Sequence, residues 1–254
     1  MTNSTEPLAP FLAEPSRIGT EISITGKWLP TQAGGLFRKS AESREMLAEW
    51  EDIHAGARAD DGVLSTEINH AVGADAVLVH HVFADPDALV EYFSTTATQH
   101  MGALVGVAKP ALHLVRGVSV PPPARAAVTA KNVPVAFGEW LFGYVRDDYQ
   151  RPDPDAAIQV TAKWTCKPGE GRHLDELKHW WQQVGTDAHS MEEGLLRFEA
   201  YQVADEDALI IHETFSDTKE LKFHLTKGTA EKYKKDIDTI AAPEAYYFRG
   251  PVSW

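Results

Sequence analysis

From about residue 20, polar and apolar positions run through the same succession of patterns twice. Residues 21–29 alternate β-branched and polar side chains in the manner of a strand. Met46, Leu47, Trp50, Ile53, His54 and Ala57 then recur at three- and four-residue steps, which makes one face of a helix. Asp61-Gly62 interrupts, and residues 63–71 and 76–83 read as two strands joined around Gly73. Asp85-Pro86 predicts an N-cap followed by proline at the first helical position. Leu89, Phe93, Ala97, His100/Met101, Leu104 and Ala108 trace a second helical face, and residues 111–118 close as a strand. The predicted order, β-α-β-β-α-β, is the ferredoxin-like split motif.

The pattern returns because the chain is duplicated. Residues 60–89 lie over 192–221 without a gap, and nine of these thirty columns are identical: Gly62/Gly194, Leu64/Leu196, Glu67/Glu199, Asp75/Asp207, Ala76/Ala208, His80/His212, Phe83/Phe215, Asp85/Asp217 and Leu89/Leu221. Random pairing gives about two, and a repeat is to be found before any fold is assigned. The second copy predicts strands at 157–166, 195–203, 208–215 and 245–252, a helical face through Leu174, Leu177, Trp181 and Val184, and a long helix over 218–240. The expected organisation is an N-terminal tail (1–19), a first domain (20–120), a linker or arm (121–155) and a second domain (156–254). A split motif covers one face of its sheet with helices, and two copies can cover each other's bare face. The expected fold class is therefore α+β, with tandem ferredoxin-like β-α-β-β-α-β domains forming an intrachain pseudo-dimeric α+β barrel. Residues 133–149 hold Phe137, Trp140, Leu141, Phe142 and Tyr144, too apolar for a free tether, and read as an extra strand or clamp, or as a lid.

Composition narrows the function classes. With 43% apolar residues the chain can build a core, and its net charge of −13 lacks the basic stripe of a nucleic-acid binder. No apolar run approaches the ~20 residues of a membrane helix. The first residues carry no basic segment of a secretory signal, so a cytoplasmic location is expected. Cys166 is the one cysteine, which excludes an intrachain disulfide framework and a zinc ribbon. The expected partner is a small-molecule ligand, not nucleic acid or membrane. Whether the pseudo-dimer pairs further into a homodimer stays open.

Residues 162–169, Ala-Lys-Trp-Thr-Cys-Lys-Pro-Gly, end a strand and open a helix, and residues 207–225 run strand, acidic turn and helix. Both resemble the antibiotic biosynthesis monooxygenase (ABM) superfamily of dimeric α+β barrel proteins. In that family a Glu-x-aromatic ends a strand and a histidine follows on the next helix. Glu213-x-Phe215 and His224 fill these places in the second copy, and His81-x-Phe83 and Tyr92 fill them in the first. The resemblance implies a cofactor-independent monooxygenase acting on an aromatic or enolisable small molecule. The superfamily also holds haem-degrading oxygenases, isomerases and proteins without activity, and fold alone does not choose among them. The haem-degrading branch uses an asparagine on the first strand and a tryptophan ending the third. Here those columns hold Gly26 or Ala162 and Phe83 or Phe215, which argues against that activity.

Alternation in 76–83 puts Val77, Val79, His81 and Phe83 on one face and His80 on the other, and the family resemblance implies that the His81/Phe83 face meets the helices. His54 and His100 fall on apolar helix faces directed at the same sheet. The first copy is thus expected to gather His54, His81 and His100 as catalytic candidates, with Trp28, Trp50, Phe83, Tyr92 and Phe93 as substrate-binding walls. A neutral imidazole there can take a proton from a phenol or enol, and the anion can react with oxygen without a cofactor. The alternatives are a non-catalytic ligand-binding or stress-associated barrel, whose histidines pack, and an isomerase or decarboxylase using the same base. Neither metal nor cofactor is expected. Glu192-Glu193 and the lysines of the last helix read as solvated surface.

Overall fold

A computed structural model describes residues 19–32, 40–70, 75–130, 133–146, 157–169 and 173–249. The chain runs β1 (Ile22–Pro30), α1 (Ala41–Arg58), β2 (Val63–His70), β3 (Val77–Phe83), α2 (Pro86–Ser94), α3 (Thr96–Val107), β4 (Ala108–Gly117), α4 (Pro122–Thr129) and β5 (Ala136–Val145). It continues through β6 (Ile158–Cys166), α5 (His173–Met191), β7 (Leu195–Val203), β8 (Ala208–Phe215), α6 (Thr218–Thr226), α7 (Thr229–Ile240) and β9 (Ala241–Arg249). Local chemistry fixes the helix starts. Asp85 and Asp217, both in extended backbone, accept hydrogen bonds from Ala88 and Glu220 N–H at 2.9 and 3.0 Å and cap α2 and α6. Each expected second helix is two helices: the first breaks at Thr95, the second at Lys227-Gly228.

The expectation of two facing sheets closed as an intrachain pseudo-dimeric barrel is corrected. Among the described residues, nine strands form one mixed sheet in the order β2-β3-β1-β4-β5-β7-β8-β6-β9, with β2 and β9 as its edges. The reason lies in the connecting segment. Pro121-Pro-Pro123, expected as linker, leads into α4 with proline in its first turn. The apolar stretch after it becomes β5, in the middle of the sheet. β5 pairs parallel with β4 over Leu114–Gly117 and antiparallel with β7 along most of its length. Gly143 permits the β7 approach, because a Cβ there would lie 2.3 Å from the Phe198 carbonyl oxygen. The chain thus supplies a bridging strand for one seam, while the edges β2 and β9 have no ladder between them among the described residues. Of the expected tail (1–19), residues 1–18 lie outside the described residues, as do residues 131–132 and 147–155 of the expected linker or arm (121–155).

The sheet nevertheless coils strongly. β1 comes to lie beside β9, and His80 on β3 is within electrostatic range of His212 on β8, five places along the strand order. The inner face of the coil carries a matched pair of contacts: Thr25 Oγ1 to His80 Nδ1 at 2.9 Å and Thr161 Oγ1 to His212 Nδ1 at 3.0 Å. Charges cross between the two sides there. Arg197 bonds Glu199 at 2.8 Å and reaches Glu21 at 3.4 Å, while buried Arg116 lies 3.9 Å from Glu199. The outer face is covered by helices over two apolar cores, one around Trp28, Trp50, Phe83 and Leu89, the other around Trp181, Phe198, Phe215 and Leu221. No helix among the described residues is long and apolar enough to cross a membrane.

Candidate active site

Period-two alternation directs the same positions of β3 and β8 at the helices, and each half repeats one aromatic contact. Trp28 on β1 meets Trp50 on α1 with ring centroids 5.3 Å apart and planes at 65°; Trp164 on β6 meets Trp181 on α5 at 5.3 Å and 61°. Side chains of this size each contribute roughly 1.5–3 kcal/mol on leaving water. Beyond that pair the halves diverge.

In the β1–β4 half, His81 and Phe83 face the helices as expected. His81 stacks 6.0 Å from Trp50 and sits 5.6 Å from Tyr92, which in turn touches Phe83 and Phe93 at 5.1 and 5.4 Å. These rings are all buried and fill the space between sheet and helices. His54 is brought to His81 through Thr66, whose hydroxyl lies 3.1 Å from His54 Nδ1 and 2.8 Å from His81 Nδ1. His100 is not brought there; its Nδ1 lies 3.0 Å from Glu49, and its side chain is partly exposed. Burial, with His113 and His54 nearby, pushes the His81 pKa down to about 3, and burial alone pushes His113 down to about 4. So buried, the His81 imidazole stays uncharged near neutral pH, and rings rather than open space lie against it.

The β6–β9 half opens a cavity of about 310 Å³, at the small end of the ~300–1,000 Å³ typical of ligand sites. Its apolar wall is Val160, Ala162 and Trp164 on β6, Trp181 on α5 and Ile211 on β8. Leu221, His224 and Leu225 on α6 and Ala230, Lys234, Ile237 and Asp238 on α7 complete it. Exposed Leu225 and Lys234 mark where it meets solvent. Its polar end is Glu213, on the β8 position that corresponds to His81.

Glu213 does not stand alone. His224 is buried between two carboxylates: Nδ1–H donates to Glu192 Oε2 at 2.8 Å, and Nε2 lies 3.1 Å from Glu213 Oε1, close but off the line of a good hydrogen bond. Burial disfavours the imidazolium, but the Glu213 charge, the Glu192 hydrogen bond and the remaining contacts outweigh it, and the His224 pKa is raised to about 10. At Glu192 burial likewise opposes charge, yet the His224 and Thr229 contacts hold its pKa below the ordinary 4.5. The geometry therefore favours a His224 imidazolium flanked by two carboxylates, one of which, Glu213, faces an apolar cavity. Among the described residues, no group of three His, Cys, Asp or Glu side chains is arranged to hold a metal ion.

Three columns of the duplication explain the contrast: Asp60/Glu192, His81/Glu213 and Tyr92/His224. In the first half Asp60 turns its carboxylate on the Gly62 N–H at 2.9 Å. Glu192, read from sequence as solvated, is instead 2% exposed. Its neighbour Glu193 is exposed, as read. The signal that could have found the site is this joint exchange of polar residues inside an otherwise matched repeat.

No family model matches the chain, and no curated protein matches it. Solved structures do. A candidate monooxygenase from Fusobacterium nucleatum superposes with a TM-score of 0.55 at 11% identity, covering 91% of each chain. An anthrone oxidase-like protein superposes with a TM-score of 0.50 at 9% identity, over 91% of this chain and 90% of that one. A candidate chlorite dismutase reaches 0.50 at 12% identity, over 91% and 94%. At such identities the likeness is one of fold alone.

Proposed function

We propose that this protein is an oxidoreductase of the cofactor-independent monooxygenase kind, acting on an aromatic or enolisable small molecule in the β6–β9 cavity. The observation that carries this reading is the Glu213 carboxylate, held against the His224 imidazolium at the end of an apolar, tryptophan-walled cavity. Glu213 takes a proton from the substrate's acidic C–H or O–H. The site's net charge is unchanged by that transfer, and the substrate anion replaces the carboxylate as the partner of the imidazolium. Fixed charge aimed at a developing anion, with water excluded, is among the strongest catalytic devices. The anion then reacts with dioxygen; for a methylene substrate one oxygen atom ends as the new carbonyl and the other leaves as water.

Fold likeness to proteins named as a candidate monooxygenase and as anthrone oxidase-like supports the reaction class and suggests the substrates to try. The test is dioxygen uptake with a panel of hydroxylated anthrones and quinols, with product oxygen traced by isotope. Uptake that needs Glu213 supports the reading. Conversion of the same compounds at an undiminished rate without dioxygen would assign the base to isomerisation or decarboxylation instead.

A further inference from the structure

We propose that Glu192 is a positioning residue of this cavity: it ties α6 to α7 and fixes His224 against Glu213. The inference rests on reading the cavity as the reaction site, which Glu192 itself does not line.

α6 and α7 together make one whole side of the cavity, and the chain between them is interrupted at Lys227-Gly228. Gly228 at the N-cap of α7 offers no side chain to the first helical N–H groups. Glu192 supplies the cap from 37 residues away. Its Oε1 accepts the Thr229 N–H at 2.6 Å, while its Oε2 accepts His224 Nδ1–H, on the last turn of α6, at 2.8 Å. One carboxylate thus spans the joint between both helices. Gly228 is required for that approach, since a Cβ there would lie 2.5 Å from Glu192 Oε1 and 2.8 Å from His224 Cα.

The carboxylate is anchored in turn. Arg146, just past β5, donates Nη2–H to the backbone carbonyls of Glu192 at 2.7 Å and His189 at 3.0 Å, and Nε–H to that of Leu195 at 2.9 Å. Contacts therefore run from the central strand through Arg146, Glu192 and His224 to Glu213. The other charged or titratable groups around the pair are Tyr144 on β5, which feels both glutamates, and Lys234 and Asp238 on α7, which pair with each other at the cavity wall. In the first half Asp60 bonds its own turn, and Tyr92 stands in place of His224.

The test is histidine-selective 15N NMR of the full chain across pH, with oxygen uptake measured in parallel, on the unsubstituted protein, Glu192→Gln, Glu192→Asp and Gly228→Ala. Glu192→Gln keeps an acceptor for Thr229 but loses the charge, and the His224 midpoint should fall by roughly 1–3 pH units. The pH profile of kcat should move with it while KM changes little. Gly228→Ala displaces the carboxylate without neutralising it and should shift the midpoint in the same direction. Glu192→Asp keeps the charge and should restore part of the midpoint; it also decides the matter if Glu192→Gln does not fold. A His224 midpoint unmoved in every folded variant would overturn the proposal. Shifted midpoints without any oxygen uptake would uphold Glu192 as the positioning residue and remove oxygenation as the reaction.

Discussion

The two helix-covered faces of the sheet start from the same parts and end as different things. Both hold a T-shaped tryptophan pair at 5.3 Å, a capping aspartate before the helix that follows the third strand of the half, and a phenylalanine closing that strand. In one half the polar columns are aspartate, histidine and tyrosine, and the result is a neutral ring-packed core. In the other they are glutamate, glutamate and histidine, and the result is a buried ionic cluster beside a cavity. A buried charged triad must be offset by its own pairings, and here those pairings are made beside a cavity with apolar walls. Rings carry no such requirement and close the gap. The lesson is that three exchanged columns of a duplicated pattern can set a ring-packed core in one half against a cavity with a buried ionic cluster in the other.

The comparison is broken most easily at Glu213. Its replacement by Gln should lower oxygen uptake by roughly 10²–10⁴-fold, whereas His81→Gln should leave turnover close to the unsubstituted value. Stopped or steady-state oxygen-electrode traces decide it, and an equal loss in both variants would mean that both halves take part.

Next in size is stability. Glu192→Ala leaves the His224 cation buried beside a single carboxylate, and urea denaturation should show a loss of about 3–5 kcal/mol. The triple exchange Glu192→Asp, Glu213→His and His224→Tyr, which copies the first half, should cost less than that single change. It removes the buried cation, and in the first half the corresponding aspartate finds its partner in the Gly62 N–H.

A smaller effect is the pH dependence. His224 has a folded pKa of about 10 against an ordinary 6.5, so its contribution is complete below 6.5 and is lost as pH rises towards 10. Glu192 is shifted the other way: its contribution is complete above the ordinary 4.5 and is lost as pH falls through its depressed folded value. The cluster should therefore stabilise most between about pH 4.5 and 6.5. Melting temperatures across pH should show an alkaline decline that His224→Tyr reduces. Smallest of all, the pair of exposed Lys232 with half-buried Asp187 borders solvent, where an ion pair is worth little. Lys232→Ala should leave the denaturation midpoint where it was.

Much of this was legible in the chain. Alternation in 76–83 separates His81 and Phe83 from His80, the family resemblance implies that the first two meet the helices, and the structure has them so. The duplication identifies the corresponding strands and both capping aspartates. What local pattern could not give is partner choice. β5 is visible as an apolar stretch, but its seat between β4 and β7 is decided by pairings made with residues up to 65 positions away. Glu192 escaped for the same reason: two acids before a glycine look like a wet turn until His224, 32 residues on, comes to lie against one of them. The long helix over 218–240 was read as continuous because its polar periodicity carries across Gly228, whose need arises from that same distant carboxylate.

The central claim, that the β6–β9 half holds the ligand site, is tested most directly by following the indole N–H signals of 15N-labelled protein during titration with a hydroxylated anthrone in the absence of oxygen. The account predicts that Trp164 and Trp181 move together and saturate, with Trp28 and Trp50 unchanged. Movement of Trp28 and Trp50 in their place, or no movement at all, would contradict it.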